Sequence, residues 1–513
     1  MKNAFKYGFI KSLALMAGAV TLSVAAAQAQ DSGALIDALV KKGVLSDQEA
    51  EDIRTDLTKE YNTTSAGKIG ISSFISHLQL YGDARLRYQY QNIRSNTDFE
   101  HGQNDEDDRN RYRYRLRLGA VYTYDEHWSA NVRLETGTSS DGSNEDFGRY
   151  FDKYGSELNI GLIYLEYKNK FSLFDSTSTV ADGKNFNTVT SPGLEVGLDA
   201  RIGKQPKQIL LSEAFWDPDT NPEGLAEELT FNNVGIDGLS FAARGAEYLT
   251  SAPQTNGTGT VLVVAPGTPA GGVSSTDAND TAALFAAQIE GKYAWSSNGN
   301  VRIAPLYLDE TPGVISSNQE SNSANSLGVL PADTESLTGQ NPYAFLGRFE
   351  VVALPVEVNW KAWGKPMQIW GTYGANLEGE DRLRALGFAN EGGQNTFWNA
   401  GYQIGSNKVK GDWLVSAEWR SIQAASYDTN LSESDWANNG LNQQGIVLRA
   451  GYNFTDAVSG LISYYHSNPI ASNANIPGAG ADSYANSNAL TGNTGNPFQG
   501  QIDIIQADLN WKF

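Results

Sequence analysis

Residues 109–124 read RNRYRYRLRLGAVYTY. Arg111, Arg113, Arg115 and Arg117 fall on one parity, and Tyr112, Tyr114, Leu116 and Leu118 on the other. Side chains that alternate with period two leave opposite faces of a β-strand. One face is therefore strongly cationic and the other strongly apolar, and few settings tolerate both. Arginines facing lipid would each cost about 2–4 kcal/mol near the midplane of a bilayer. The reverse orientation puts leucine against hydrocarbon and tyrosine at the interfaces, where each belongs. The arginines then border a lumen, and that lumen has to be wet, because so many like charges are not buried dry. A soluble β-sandwich with its charges outside would show the same alternation, so the rest of the chain has to decide.

Similar segments of about ten residues follow one another from residue 77 onward. The first sets Leu78, Leu80, Ala84, Leu86, Tyr88 and Tyr90 against Gln79, Asp83, Arg85, Arg87 and Gln89. WSANVRLET sets Trp128, Ala130, Val132 and Leu134 against Asn131, Arg133 and Glu135. ELNIGLIYLEY (157–167) is apolar on both parities, which leaves its register open. Further candidates are 194–203, 227–235, 238–249, 283–296, 299–308, 346–360, 366–376, 396–405, 411–421, 443–454, 457–467 and 501–513. The connections alternate. YDEH (124–127), WGKP (363–366) and FTDA (454–457) are short, whereas 92–110, 137–156, 205–226, 250–281, 309–344, 377–395, 422–442 and 468–500 are long and polar. Short-long alternation between amphipathic strands predicts a transmembrane antiparallel up-and-down β-barrel with short periplasmic turns and long external loops. The fold class is all-β with 16 strands. Residues 169–192 lie on the short-turn side yet are long; a hidden strand there, pairing with 207–214, would make 18.

The first 29 residues carry Lys2, Lys6 and Lys11, an apolar run and Ala27-Gln28-Ala29. That is the layout of a cleaved secretory signal peptide. Residues 30–76 read as a short helical periplasmic segment and linker, with Ser46 and Glu49 as a capping box. The barrel occupies 77–513. Net charge is −21 and cysteine is absent. The acidity disfavours nucleic acid, and the lack of cysteine removes disulfides, thiolate metal sites and cysteine nucleophiles.

The chain ends QIDIIQADLNWKF. Ile505, Ala507, Leu509, Trp511 and Phe513 share the lipid-facing parity, which places Trp511 and Phe513 at the periplasmic interface. This terminal strand resembles the one by which Gram-negative outer-membrane proteins are recognised by their insertion machinery. Together with the leader, the helical prefix ALIDALVKKGVLSDQEAEDIR and the segment FWDPDTNPEGLA (215–226), it is similar to the porin family of Gram-negative outer membranes. The prefix also resembles that of some phosphate-selective porins. The resemblance implies a trimeric, water-filled channel, and a loop after the fifth strand, 205–226, that folds inward. That loop carries Glu213, Asp217, Asp219 and Glu223, with Ile209, Leu210, Leu211, Phe215 and Trp216 to anchor it. The expected constriction sets these acids against Arg85, Arg87, Arg111, Arg113, Arg115, Arg117 and Arg133. Opposed charges would create a transverse field that orients dipolar solutes and screens ions. The other arrangement pairs the arginines locally with Asp83 and Glu135 and leaves the loop outside.

NDEDDRN (104–110) and DPDTNPEG (217–224) offer oxygen ligands but lack the spacing of a calcium loop. His77, His101, His127 and His466 are scattered, and no nucleophile elbow, zinc-protease motif or phosphate loop occurs. The expectation is a channel and not an enzyme, with no catalytic residues, metal or cofactor. It passes small hydrophilic solutes and ions passively. Its expected partners are outer-membrane lipid and lipopolysaccharide, the insertion machinery and two further copies of itself. A channel selective for phosphate-like anions or sugars, and a structural barrel with a closed lumen, are the alternatives.

Overall fold

The computed structural model describes residues 77–94, 106–137, 143–148, 158–182, 185–191, 193–249, 283–310, 349–379, 394–423, 426–428, 431–437, 441, 443–470 and 501–513. The leader and the helical segment expected over 30–76 lie outside them. In chain order the strands are β1 (His77–Arg94), β2 (Glu106–Thr123), β3 (Trp128–Thr136), β4 (Glu145–Asp146), β5 (Leu158–Leu173), β6 (Ser176–Asp182), β7 (Asn185–Ser191), β8 (Leu194–Lys204), β9 (Glu223–Asn232) and β10 (Leu239–Leu249). There follow β11 (Ala283–Ser296), β12 (Gly299–Ile303), β13 (Leu306–Glu310), β14 (Glu350–Ala362), β15 (Lys365–Asn376), β16 (Thr396–Gly405), β17 (Trp413–Ile422), β18 (Gln443–Asn453), β19 (Val458–Pro469) and β20 (Gln501–Lys512).

These build 16 staves. Each pairs antiparallel with its neighbour, and β20 returns to β1 with Leu86 opposite Leu509 and Tyr90 opposite Ile505. Strands β12 and β13 are one stave interrupted at Ala304-Pro305, where proline has no N–H for the ladder. Strand β4 is a two-residue addition to β2. The long link on the short-turn side hides no seventeenth stave. Strands β6 and β7 pair with each other in a separate hairpin, and 207–214 is not a strand. Closure of β20 on β1 leaves the wall of described staves without an open seam, which suits a barrel that spans lipid. No helix among the described residues is long and apolar enough to cross a membrane.

The molecule is inside-out relative to a sandwich. Ile202, Ile289 and Ile462 are 58%, 64% and 59% exposed, whereas Arg87, Arg420 and Glu418 are 4%, 0% and 5% exposed. The apolar parity thus faces outward and the charged parity faces the lumen, as the cost of lipid-facing arginine requires. Local register follows the same rule. In β5, Leu158 and Ile160 face out, Gly161 and Leu162 are both buried, and Ile163 and Leu165 face out again. A bulge opposite Arg133 and Leu134 inserts the extra residue that flips the parity. That is why the sequence of this strand reads as apolar on both faces.

The terminal aromatic locks the seam. Gly82 N–H donates to the Phe513 carbonyl at 2.9 Å, and Phe513 N–H donates to that of Gly82 at 3.1 Å. The Phe513 ring lies where a Cβ on Gly82 would sit, 2.5 Å away. A Gly82→Val substitution therefore has to displace Phe513, and overpacking of this kind costs about 1–3 kcal/mol. The expected result is a smaller fraction of folded barrel after refolding into detergent, read from a heat-modifiable gel shift. A wild-type fraction would refute the seam role.

Candidate functional site

The connection between β8 and β9 enters the lumen. Its neck is closed by Gln205, whose N–H donates to Pro222 O at 2.9 Å and whose Nε2 donates to Gly224 O at 3.0 Å. From there the segment meets four separate parts of the wall. Leu210 N–H donates to Gln288 Oε1 on β11 at 2.7 Å, and Asn399 Nδ2 on β16 donates to Ser212 Oγ at 3.0 Å. Glu213, at the head of a 3-10 turn (Glu213–Phe215), pairs with Arg449 on β18 at 3.0 Å. Asp219 pairs with Arg117 on β2 and lies 3.6 Å from Arg115. A segment that reaches β2, β11, β16 and β18 crosses the barrel. Its apolar residues Ile209, Leu211, Phe215 and Trp216 are buried, and Leu210 is half-buried. The Phe215 ring centroid is 4.6 Å from that of Phe397, and Trp216 is 5.8 Å from Tyr248. The expected anchors are therefore mostly those found.

Opposite this segment stand the arginines of β1, β2 and β3. The register places Arg85 across from Arg115 and Arg87 across from Arg113. Like charges directly opposite repel, so the wall needs carboxylates. Arg115 pairs with Asp83 at 2.8 Å. Glu135 takes Arg117 at 3.2 Å and Arg133 at 3.0 Å. Asp146 of β4 takes Arg113 at 2.9 Å and lies 3.7 Å from Arg111. Arg87 is held by Asp508 at 2.7 Å and Asp435 at 2.9 Å. Arg85 hydrogen-bonds Asn144.

The arginines pair locally with Asp83 and Glu135 and also meet Asp219 of the loop, which is not outside the barrel. The four loop acids are not one group. Asp219 touches the arginine wall, Glu213 reaches the far side, and Asp217 accepts N–H bonds from Asp219 and Ser434 at 2.7 and 2.8 Å. Glu223 lies on β9 in a cross-strand pair with Lys204 at 3.0 Å, outside the crossing segment.

A second stretch also turns inward. The long β17–β18 connection, expected from the sequence to be external, brings Tyr427, Leu431, Glu433, Ser434, Asp435 and Trp436 against the lumenal assembly. The available signal was the bulky pair Tyr427 and Trp436 in an otherwise polar loop.

Burial works against the Asp219 charge, but Arg117 and Arg115 outweigh it and hold the carboxyl below its usual range. Burial, with Asp219 beside it, pushes Asp217 up. Lys207 is the one basic residue of the segment. Its ammonium donates to Leu211 O at 2.6 Å and lies 5.9 Å from the centroid of the Trp216 ring. Burial lowers its pKa to about 7, against the pull of Glu213, Asp217 and Glu357. Its positive charge is present below that value and lost above it. Cation preference is therefore expected to rise as pH is raised through about 7, most of it within roughly one unit on either side. Reversal potentials in a salt gradient at several pH values check this, and Lys207→Met should flatten the curve. An unchanged curve in that variant would exclude Lys207. For stability the sign is separate: the free lysine titrates near 10.4, so between the two values the unfolded chain binds more protons and stability rises with pH.

A family model described as "Putative porin" matches residues 26–326, more than half of the chain. No curated protein matches. Among solved structures, OmpF of Salmonella typhi in complex with daunomycin is 12% identical, covering 86% of this chain and 99% of that one at a TM-score of 0.40. OprB of Pseudomonas putida at high pH is 9% identical over 85% of this chain and 94% of that one, TM-score 0.40. The outer-membrane channel DcaP of Acinetobacter baumannii is 11% identical over 85% and 97%, TM-score 0.34. These likenesses are distant, and the family match carries the assignment.

Proposed function

Because the chain belongs to the porin family that this match describes, we propose that it forms a water-filled channel in the bacterial outer membrane, and that small hydrophilic solutes and ions diffuse passively through it past a constriction. The observation that carries this reading is the segment 205–222 laid across the lumen against an arginine wall. A soluble enzyme would have no use for an apolar exterior around a charged interior, whereas a channel needs both. On this reading Arg85, Arg111, Arg113, Arg115, Arg117 and Arg133 line the route on one side and Asp219 on the other. Six of the seven wall arginines meet Asp83, Glu135, Asp146, Asp219, Asp435 and Asp508, and Arg85 bonds Asn144, so the route is nearly balanced in charge. That balance favours general diffusion over a strongly anion-selective pore. Assembly as a homotrimer, contact with lipopolysaccharide, and export by the leader with insertion through Phe513 belong to the same reading.

The experiment is single-channel recording of purified protein in planar bilayers. Discrete conductance steps that grow linearly with salt are expected, and an absence of steps would end the channel reading. Saturable block by a sugar or by phosphate would replace general diffusion with a selective channel. In the double variant Arg113→Ala and Arg115→Ala the reversal potential should move toward cations. Unchanged ion selectivity there would remove those arginines from the constriction.

A further inference from the structure

The described residues of the β17–β18 connection lie between the crossing segment and the wall. Tyr427 is fully buried, with its ring centroid 4.7 Å from Phe397 and 5.4 Å from Phe349. Its hydroxyl donates to Phe215 O at 2.6 Å. Asp217 N–H donates to Leu431 O at 2.7 Å, and Ser434 N–H returns a bond to Asp217 Oδ2 at 2.8 Å. Arg449 bridges Glu213 of the crossing segment and Glu433 of this one, at 3.0 and 3.1 Å. At the far end Asp435 meets Arg87 on β1 at 2.9 Å and accepts from Gln506 on β20 at 2.8 Å. The stretch therefore runs from β17 and β18 to the seam between β20 and β1.

At this level the inward residues of the later strands, among them Tyr248, Leu308, Val351, Phe397 and Ile504, are buried in one apolar cluster with Phe215, Tyr427 and Trp436. Water is excluded there. The side chains of Arg111, Arg115, Arg117 and Arg133 keep 11–17% exposure and that of Asp435 keeps 26%, while Arg449 and Glu213 across the segment keep 21% and 54%. On the channel reading the route borders the arginine wall.

We propose that residues 426–428 and 431–437 are the second half of the constriction: they hold the 205–222 segment on an apolar buttress, and Asp435 sets the charge of the route by neutralising Arg87. This rests on the channel reading above. Arg87 touches two carboxylates, Asp508 with 4% side-chain exposure and Asp435 with 26%. The more exposed of the two is the one a passing ion meets. Tyr427 acts through the crossing segment and is a positioning residue.

The test uses the full-length channel in planar bilayers with three variants. Asp435→Asn removes one negative charge beside the route. A unit charge about 4 Å from an ion's path in water is worth about 1 kcal/mol, so the permeability ratio should move roughly fivefold toward anions. Asp435→Glu should restore it. Tyr427→Phe deletes one hydrogen bond, and it should leave the ratio alone while increasing open-channel noise and substates. A native reversal potential in Asp435→Asn overturns the charge role. So does a shift that Asp435→Glu fails to reverse. If Asp435→Asn gives no channels, Tyr427→Phe decides, and wild-type noise in that variant overturns the buttress. Wild-type protein that never conducts would strike the channel reading itself, whereas conducting wild type with silent variants strikes only this proposal.

Discussion

Asp219→Asn is expected to swing the channel toward anions. Asp219 contacts Arg117 and lies 3.6 Å from Arg115, and Ser143 Oγ donates to it at 3.1 Å. Asparagine keeps the shape: its Oδ1 can still accept from the Arg117 guanidinium, and its Nδ2, in the place of Oδ2, can donate to Ser143 Oγ, so the segment should stay in place. What changes is that Arg115 retains Asp83 and Arg117 retains Glu135, while the shared third carboxylate is gone. One uncompensated positive charge then borders the proposed constriction. By the estimate of about 1 kcal/mol for a unit charge at about 4 Å in water, the anion-to-cation permeability ratio should rise roughly fivefold. Screening reduces this at high salt, because the Debye length falls from about 10 Å at 0.1 M to about 3 Å at 1 M. Reversal potentials in gradients at low and high ionic strength measure both effects. Glu213→Gln, on the far side beside Arg449, should move the ratio less. Equal shifts for the two, or none for Asp219→Asn, would contradict the placement of the route along the arginine wall.

Arg420→Ala is expected to damage the fold more than the charge of the route. Arg420 is fully buried, pairs with Glu418 at 2.7 Å and also binds Glu433. Removing it leaves two buried carboxylates short of a partner, and breaking a buried ion pair from one side costs about 3–5 kcal/mol. The loss should appear as a lower urea midpoint and as channels that open with variable conductance. The triple variant Arg420→Met, Glu418→Gln and Glu433→Gln removes the charges together and should recover much of the midpoint, since the penalty lies in the orphaned charge. If the single and triple variants unfold alike, the cluster is not the source of the stability. Arg449 also pairs with Glu433 at 3.1 Å, so its partial compensation sets the lower end of the expected range.

Much of the wall was legible in the amino-acid order. Period-two alternation, turn lengths and the terminal aromatic predicted 16 staves and their sidedness, because lipid imposes the same rule at every outward position. Strand β5 was the exception. Its bulge depends on how β3 and β5 meet, and Gly161 marks it only once Glu135 is seen lying where a Cβ would be. The site was legible by halves. The parity of the arginines could be read, but their partners could not. Arg117 finds Asp219 across 102 residues and Arg87 finds Asp508 across 421. Residues 205–222 and 426–437 are both short, polar and sparsely apolar. A Trp or Tyr in such a loop enters the barrel only if inward apolar side chains from distant strands, here Phe397, Tyr465 and Ile504, assemble a surface to receive it.

The order of residues determined by itself that this chain closes into a cylinder with grease outside and guanidinium groups inside, since each lipid-facing charge would cost several kcal/mol wherever it fell. Only the tertiary structure decided which connections enter the cylinder and which carboxylate neutralises which arginine. Those choices rest on contacts between segments far apart in the chain, and no local periodicity encodes them.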